Sequence, residues 1–394
     1  MSLLEVITKA ASNPTEHSCP SDYPIILNPD TIFPNLKPKL EDPCPSSLVN
    51  PLIGWKISET DSKLIDISKK FFTNLKNTKG FGKDEFISML NSYLEMIRDK
   101  AGVSIRVDSS DSDYTRLLIE KLGVLMGKDV TGLVLEGCVA LEIWELVEAL
   151  AVSGIVEHSC YLNLITRLVE KKRSDLLCTC IKHAFDLGPS ELLCVLKYFL
   201  SPSKDAYASM VNVRKEWENQ ALLAIEKASD NSLQKKKLAL AKEASILLMI
   251  AYDGFSPSEL CLHHLLSSSN IDDVMLAPAF SKLNGKEMTN LIQYLTKWLK
   301  KYERFPQAGP CPNASAVLGL KACDWVPKLE DVVKCLGLVL DENFSSLVLH
   351  PEFHEELTSM EKVVGSLTAE ARLSFSMAGV IEKLKTVEVQ GGKN

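Results

Sequence analysis

The chain is predicted to be all-α: stacked antiparallel helical hairpins forming an irregular α-solenoid, preceded by a proline-rich extended N-terminal arm. Three observations predict this. Apolar residues recur at helical spacing through most of the sequence after residue 55. The helical segments are joined by only a few residues, which makes sequential helices antiparallel neighbours. Almost nowhere does the sequence alternate with the period of two that a half-buried strand requires.

Residues 1–54 form the arm. Nine of the 18 prolines lie within the first 51 residues, and proline removes a backbone donor and disfavours helix at the residue before it. Ile25, Ile26, Leu27, Ile32 and Phe33 supply apolar side chains within it, so the arm is either a strap over a helical surface or a disordered tail. Residues 55–130 form an N-terminal helical subdomain. There Leu64, Ile67, Phe71, Phe72 and Leu75 mark one helix, and Phe86, Leu90, Tyr93, Leu94 and Ile97 a second. A polar break at 101–114 precedes a third over 114–126.

Residues 131–390 form a C-terminal helical-hairpin domain. Val139, Ile143, Leu146, Val147 and Leu150 make one stripe, with Glu142, Glu145 and Glu148 opposite. Helices follow over 157–170, 174–186 and 189–200, then 205–228, 233–252 and 284–302, with Leu177, Ile181, Ala184 and Phe185 as the stripe of the second. Gly188-Pro189-Ser190-Glu191 and Ser256-Pro257-Ser258-Glu259 share a cap, a proline at the first helical position and a glutamate in the first turn. Near the end, Leu329, Val332, Val333, Leu336, Val339 and Leu340 predict one helix. Asp341 is expected to start a short second helix with Phe344, Leu347 and Val348, and Pro351 a third with Phe353, Leu357, Met360, Val363 and Val364.

Composition narrows the function classes. The 394 residues are 46% apolar and 24% charged, as in a globular protein. A formal net charge of -7 draws the chain to neither phosphate backbones nor anionic lipid, so nucleic acid needs a local basic patch. No uncharged apolar run approaches the ~18 residues of a membrane span, and Glu5 and Lys9 interrupt the apolar residues of the first eleven, so neither insertion nor export is expected. Eleven scattered cysteines suit a reducing compartment with free thiols.

Three clusters invite a chemical reading. In His350-Pro351-Glu352-Phe353-His354 the glutamate stands two residues after the first histidine, ~200° around a helix from it, and Pro351 places His350 at a helix end. Zinc-protease geometry needs the glutamate one residue after the first histidine, so packing is the better reading. Cys178, Cys180 and His183 lie on a predicted helix, where residues two apart face away from each other, so core thiols are expected. Gly123 to Asp129 lacks the spacing, the hydroxyl and the preceding strand of a phosphate loop. No catalytic, cofactor-binding or metal-binding residue is assigned and no cofactor is expected. The basic residues Lys297, Lys300, Lys301 and Arg304, with Lys235, Lys236 and Lys237, are the candidate contact for RNA or a partner; Lys171, Lys172 and Arg173 form a further cluster.

Two segments carry a family resemblance: "LAPAFSKLNGKEMTNLIQYLTKWLKKY", Leu276 to Tyr302, and "VVKCLGLVLDENFSSLVLHPEFHEEL", Val332 to Leu357. They resemble the C-terminal helical region of the nucleolar protein eleven-like family, relatives of the U3-associated subcomplex of the small-subunit processome. Members of that family place a β-propeller before the helices, and no tryptophan-aspartate blade repeat occurs here. The resemblance implies a plant-type nucleolar helical protein, a non-enzymatic scaffold in ribosome biogenesis that serves pre-rRNA transcription or processing. Its expected partners are other proteins of a pre-ribosomal complex, with a weak pre-rRNA contact, no membrane and no small-molecule substrate. Its expected location is the nucleus and nucleolus. A cytoplasmic α-solenoid adaptor in trafficking or signalling is the alternative the same helical pattern allows.

Overall fold

The computed structural model describes residues 59–77, 80, 82–103, 113–230, 234–306, 308–309 and 311–391. The expected arm lies outside them. The described residues form sixteen α-helices and no strand, as the helical periodicity requires. In chain order they are α1 (Glu59–Asn77), α2 (Lys83–Ala101), α3 (Tyr114–Leu122), α4 (Lys128–Ala140), α5 (Trp144–Val152), α6 (His158–Glu170), α7 (Ser174–His183) and α8 (Pro189–Leu200). There follow α9 (Lys204–Ser229), α10 (Lys235–Tyr252), α11 (Pro257–Leu266), α12 (Asp273–Phe280), α13 (Gly285–Arg304), α14 (Ala314–Leu318), α15 (Leu329–Leu349) and α16 (His354–Gly391).

The helices alternate between two layers. α4 packs on α6 and α6 on α8, while α3 packs on α5 and α5 on α7. A repeat underlies this. The helices α4 and α6 are both 13 residues long and start 30 residues apart, at Lys128 and His158. Their buried stripes keep that offset: Thr131, Val134, Leu135 and Cys138 answer to Tyr161, Leu164, Ile165 and Leu168. The partner helices match too, Leu146, Val147, Leu150 and Ala151 answering to Leu176, Leu177, Cys180 and Ile181. Each hairpin closes through the same bond, Ile143 N–H to Cys138 O at 2.8 Å and Arg173 N–H to Leu168 O at 2.9 Å. This closure needs a left-handed residue, taken by Glu142 (φ 54°) and Lys172 (φ 57°). Side chains at that conformation cost roughly 1–2 kcal/mol each. The two turns are also joined, because Lys171 Nζ reaches Glu142 Oε1 at 2.6 Å.

The long hairpin α9–α10 interrupts the array. α9 packs on both α7 and α11, and beyond the hairpin the layers resume, α11 lying on α7 and α12 on α8. α12, α13, α15 and the first turns of α16 close the stack, with α15 packed on α12 and α13, and α16 on α13. Capping boxes start α11 and α13: Ser256 and Asn284 accept from the backbone N–H groups of Glu259 and Glu287, whose carboxylates accept from the cap residues in return.

Several sequence expectations need correction. The stripe expected to run through one helix from Val139 to Leu150 is divided by the turn at 141–143, where Glu142 is left-handed, and α4 is a helix the periodicity alone did not single out. The position 130/131, expected to divide the two helical domains, lies within α4. α7 stops at His183, where Ala184 turns extended (ψ 135°), and Phe185, expected in its stripe, lies beyond the helix and is 63% exposed. The break expected at Asp341 falls two residues later, at Asn343, where non-helical backbone (φ -119°, ψ 15°) divides α15 into two helical stretches. The Asn343 Nδ2 donates to Val339 O at 3.1 Å and so satisfies a carbonyl that the kink frees. Leu347 is buried beyond the kink, but Phe344 and Val348 face out.

Candidate functional site

The layer of α3, α5 and α7 carries a groove. One part, of about 410 Å³, lies among Lys83, Thr115, Trp144, Glu145, Arg173 and Asp175. The other, of about 640 Å³, continues past Arg116, Lys182, Glu216, His264, Lys321 and Trp325. Glu148, Asp175 and Thr179 line both parts, so the groove is continuous along the face. Helical spacing accounts for the lining on α7: Asp175, Thr179, Lys182 and His183 share one side of it, while Leu176, Leu177, Cys180 and Ile181 go to the core. In the first part Arg173 stacks on Trp144, 4.9 Å from ring centre, and donates to both oxygens of Asp175 at 3.0 and 2.6 Å. That arginine raises no free charge to a ligand.

The second part ends in an aromatic floor with unused polar atoms. Lys182 Nζ stands 5.4 Å from the centre of the Trp325 ring. The Trp325 ring lies 4.8 Å from that of His264 and 5.6 Å from that of Trp217. His264 is 7% exposed, and among the described residues its Nδ1 has no hydrogen-bond partner, nor do the buried indole N–H groups of Trp217 and Trp325. Burial holds the Lys182 ammonium below the usual lysine range, opposed by Asp324 and reinforced by Lys321. Burial likewise pushes His264 down to about 3, with Lys182 adding to the effect, so this imidazole is neutral at physiological pH. Its neighbour His263 has both nitrogens in use. A carbonyl only accepts, so Nε2–H donates to Ala251 O at 3.0 Å and Nδ1 accepts from the Tyr294 hydroxyl at 2.9 Å.

The basic residues singled out from sequence are mostly engaged inside the fold. Lys297 donates to both oxygens of Glu259 at 2.8 and 3.0 Å, Lys301 to Asp253 at 3.2 Å, and Lys300 to the Ser359 hydroxyl at 3.2 Å; Arg304 lies over Phe305. Lys235, Lys236 and Lys237 are exposed at the start of α10, whereas Asp253, the partner of Lys301, follows its end. An 18-residue helix is about 27 Å long, so the seven residues form two separated clusters and no single patch. Lys171, Lys172 and Arg173 are paired as well, with Glu142, Asp205 and Asp175.

The other motifs are built into the packing. His350 is the extended residue that ends α15, and the His354 Nε2–H donates back to Val348 O at 3.0 Å, closing the same helix end. Cys178 and Cys180 are buried on α7; burial raises both thiols, Cys180 to about 12, and Cys178 lies against Cys261 of α11. Gly127 starts α4 with φ 79°, and what precedes it is the helix α3, not a strand. Among the described residues no group of three or more His, Cys, Asp or Glu side chains is placed to hold a metal ion, and no helix is long and apolar enough to cross a membrane.

Fold and groove together define a helical-hairpin array with a charged recess along one layer. The chain matches no known family model and no curated protein.

Proposed function

We propose that this protein is a non-enzymatic helical scaffold of nucleolar ribosome biogenesis, which holds protein components of a pre-ribosomal complex. The observation that carries the scaffold reading is the groove. It runs across successive repeats, and an array of stacked hairpins presents such a surface to an extended partner without needing a single catalytic centre. Support for the nucleolar setting comes from the two resembling segments. They form α12–α13 and α15 with the start of α16, which pack together as one terminal block. The charged cluster at Lys235 to Lys237 is the surface left for a weak pre-rRNA contact, because the Lys297 to Arg304 cluster is already engaged.

Imaging of the tagged protein, depletion followed by sequencing of pre-rRNA intermediates, and identification of co-purifying proteins test this reading. Nucleolar signal, accumulated precursors and pre-ribosomal partners are expected. Exclusively cytoplasmic signal with unchanged rRNA intermediates removes it, and coat or cytoskeletal partners in its place establish the adaptor alternative.

A further inference from the structure

We propose that the Lys182–Trp325 end of the groove binds the carboxylate of an aspartate or glutamate side chain on an extended segment of a partner protein. Lys182 and Lys321 take the charge, and Trp325 with His264 forms the floor. This deepens the scaffold reading and rests on it for the existence of a protein partner.

Three independent observations meet at this end. The first is the pairing of charges. Lys128, Lys171, Lys172, Lys297, Lys301 and Lys334 each have a carboxylate within 3.2 Å. Lys182 is half-buried, lines a recess of about 640 Å³ beside Lys321, and forms no such ion pair among the described residues. Asp324 offsets only part of the cost of desolvating this ammonium without touching it, and an incoming carboxylate in direct contact offsets more. The second is an unused polar atom: among the described residues His264, more than nine-tenths buried, lines the recess with Nδ1 unpartnered. The third is shape, since an aromatic floor under an ammonium holds the aliphatic part of an acidic side chain while its head meets the lysines.

The rest of the lining selects protein over RNA. Glu148 and Glu216 balance Lys182 and Lys321 around the same recess, where Asp175 is already paired with Arg173 and Arg116 with Glu120. A phosphate backbone, negative at every residue, gains nothing from such a balance. A peptide does gain when one acidic side chain meets the lysines and a basic one lies toward Glu148 and Glu216, because like charges set opposite each other are excluded.

The test is selection of twelve-residue peptides from a random display library on the full chain, followed by anisotropy titration of labelled synthetic peptides. Selected peptides are expected to share an aspartate or glutamate at one position. Changing it to asparagine or glutamine should weaken binding at least tenfold. Lys182→Met, which keeps the aliphatic stem over Trp325, should weaken the parent peptide equally at an unchanged unfolding midpoint, and Lys182→Glu should move the selected position to lysine or arginine. Should Lys182→Met fold poorly, the exposed Lys321→Met reads the same loss. Absence of any selected peptide, absence of a shared acidic residue, or affinities indifferent to both lysines overturns the proposal. So does a twelve-nucleotide oligouridine that binds the wild type and is lost in Lys182→Met, which would make this a phosphate site. Cellular depletion reads the scaffold role and peptide selection reads this site, so either can fail while the other stands.

Discussion

At the scale of single residues, the two adjacent histidines of α11 make stability depend on acid. Burial holds His263 and His264 down to about 3 in the folded chain, against an ordinary value near 6.5 once unfolded. The folded form therefore binds fewer protons through this interval. The stability present above pH ~6.5 is lost as pH falls toward 3, at up to about 1.4 kcal/mol per pH unit for each imidazole. Urea unfolding at pH 7 and pH 5 should show a loss on the order of 2 kcal/mol per histidine. His264→Phe should roughly halve the pH slope, since Nδ1 has no partner to lose and an aromatic ring still meets Trp217 and Trp325. Equal slopes in the two proteins would exclude this origin. Gly137 works by size. A Cβ there would stand 2.6 Å from Phe86 Cε2 and 2.9 Å from Cζ, in the contact between α4 and α2. Gly137→Ala gains about 1 kcal/mol of helix propensity, but overpacking a rigid ring costs about 1–3 kcal/mol, so a net fall in unfolding free energy is expected. The double variant Gly137→Ala/Phe86→Leu should recover part of that fall, and additive losses would sink the steric account.

At the scale of elements, what the sequence made legible follows from how each helix is specified. Helices with an amphipathic stripe and a polar cap were readable to within a residue or two at both ends in α8 and α13, and at the start in α11. Breaks set by backbone conformation were not: Glu142, Lys172 and Asp186 are left-handed without being glycine, and nothing local marks them. The 30-residue offset between Thr131 and Tyr161, Val134 and Leu164, or Cys138 and Leu168 was the available signal, visible only when two stretches are laid side by side. The groove was less legible still. Arg116, Lys182, His264 and Trp325 come from four separate elements, and an orphaned imidazole nitrogen is a property of packing, with no motif to announce it. The distal part of the last helix, from Thr368 to Glu382, shows the converse, a regular pattern left exposed among the described residues. Phe353, Met360 and Val363 of the helix's approach and first turns are buried, yet from Thr368 to Glu382 every side chain is exposed, including Leu373, Phe375 and Met377. Burial drives stability, so deleting residues 371–394 should leave the thermal midpoint within about 1 °C while lowering helical circular dichroism. A drop of several degrees would show that this stretch does pack on the body.

At the scale of the whole molecule, the alternating layers make stability a matter of neighbours. In a stacked array each helix is held by those before and after it, so resistance to opening is greatest where both sides are occupied and falls toward the ends. α7 and α8 are the most enclosed: α7 is covered by α5, α6, α9 and α11, and α8 by α6, α11, α12 and α13. The inserted hairpin strengthens this centre, because α9 buries Trp217 against His263, His264 and Trp325, tying the first set of repeats to the block beyond it. Among the described residues α1 is covered by α2 and α4 alone, and its Leu64, Ile67 and Leu75 are half-buried. Native-state hydrogen exchange should therefore rank α7, α8 and α11 as the slowest helices, with α1 and the distal part of α16 exchanging orders of magnitude faster. Replacing Trp217 by alanine should lower protection on both sides of the insertion at once, at a cost of about 3–5 kcal/mol in unfolding free energy. If exchange were uniform along the chain, or if Trp217→Ala loosened only α9 and α10, the hairpin would be an appendage and not the tie between the two halves of the array.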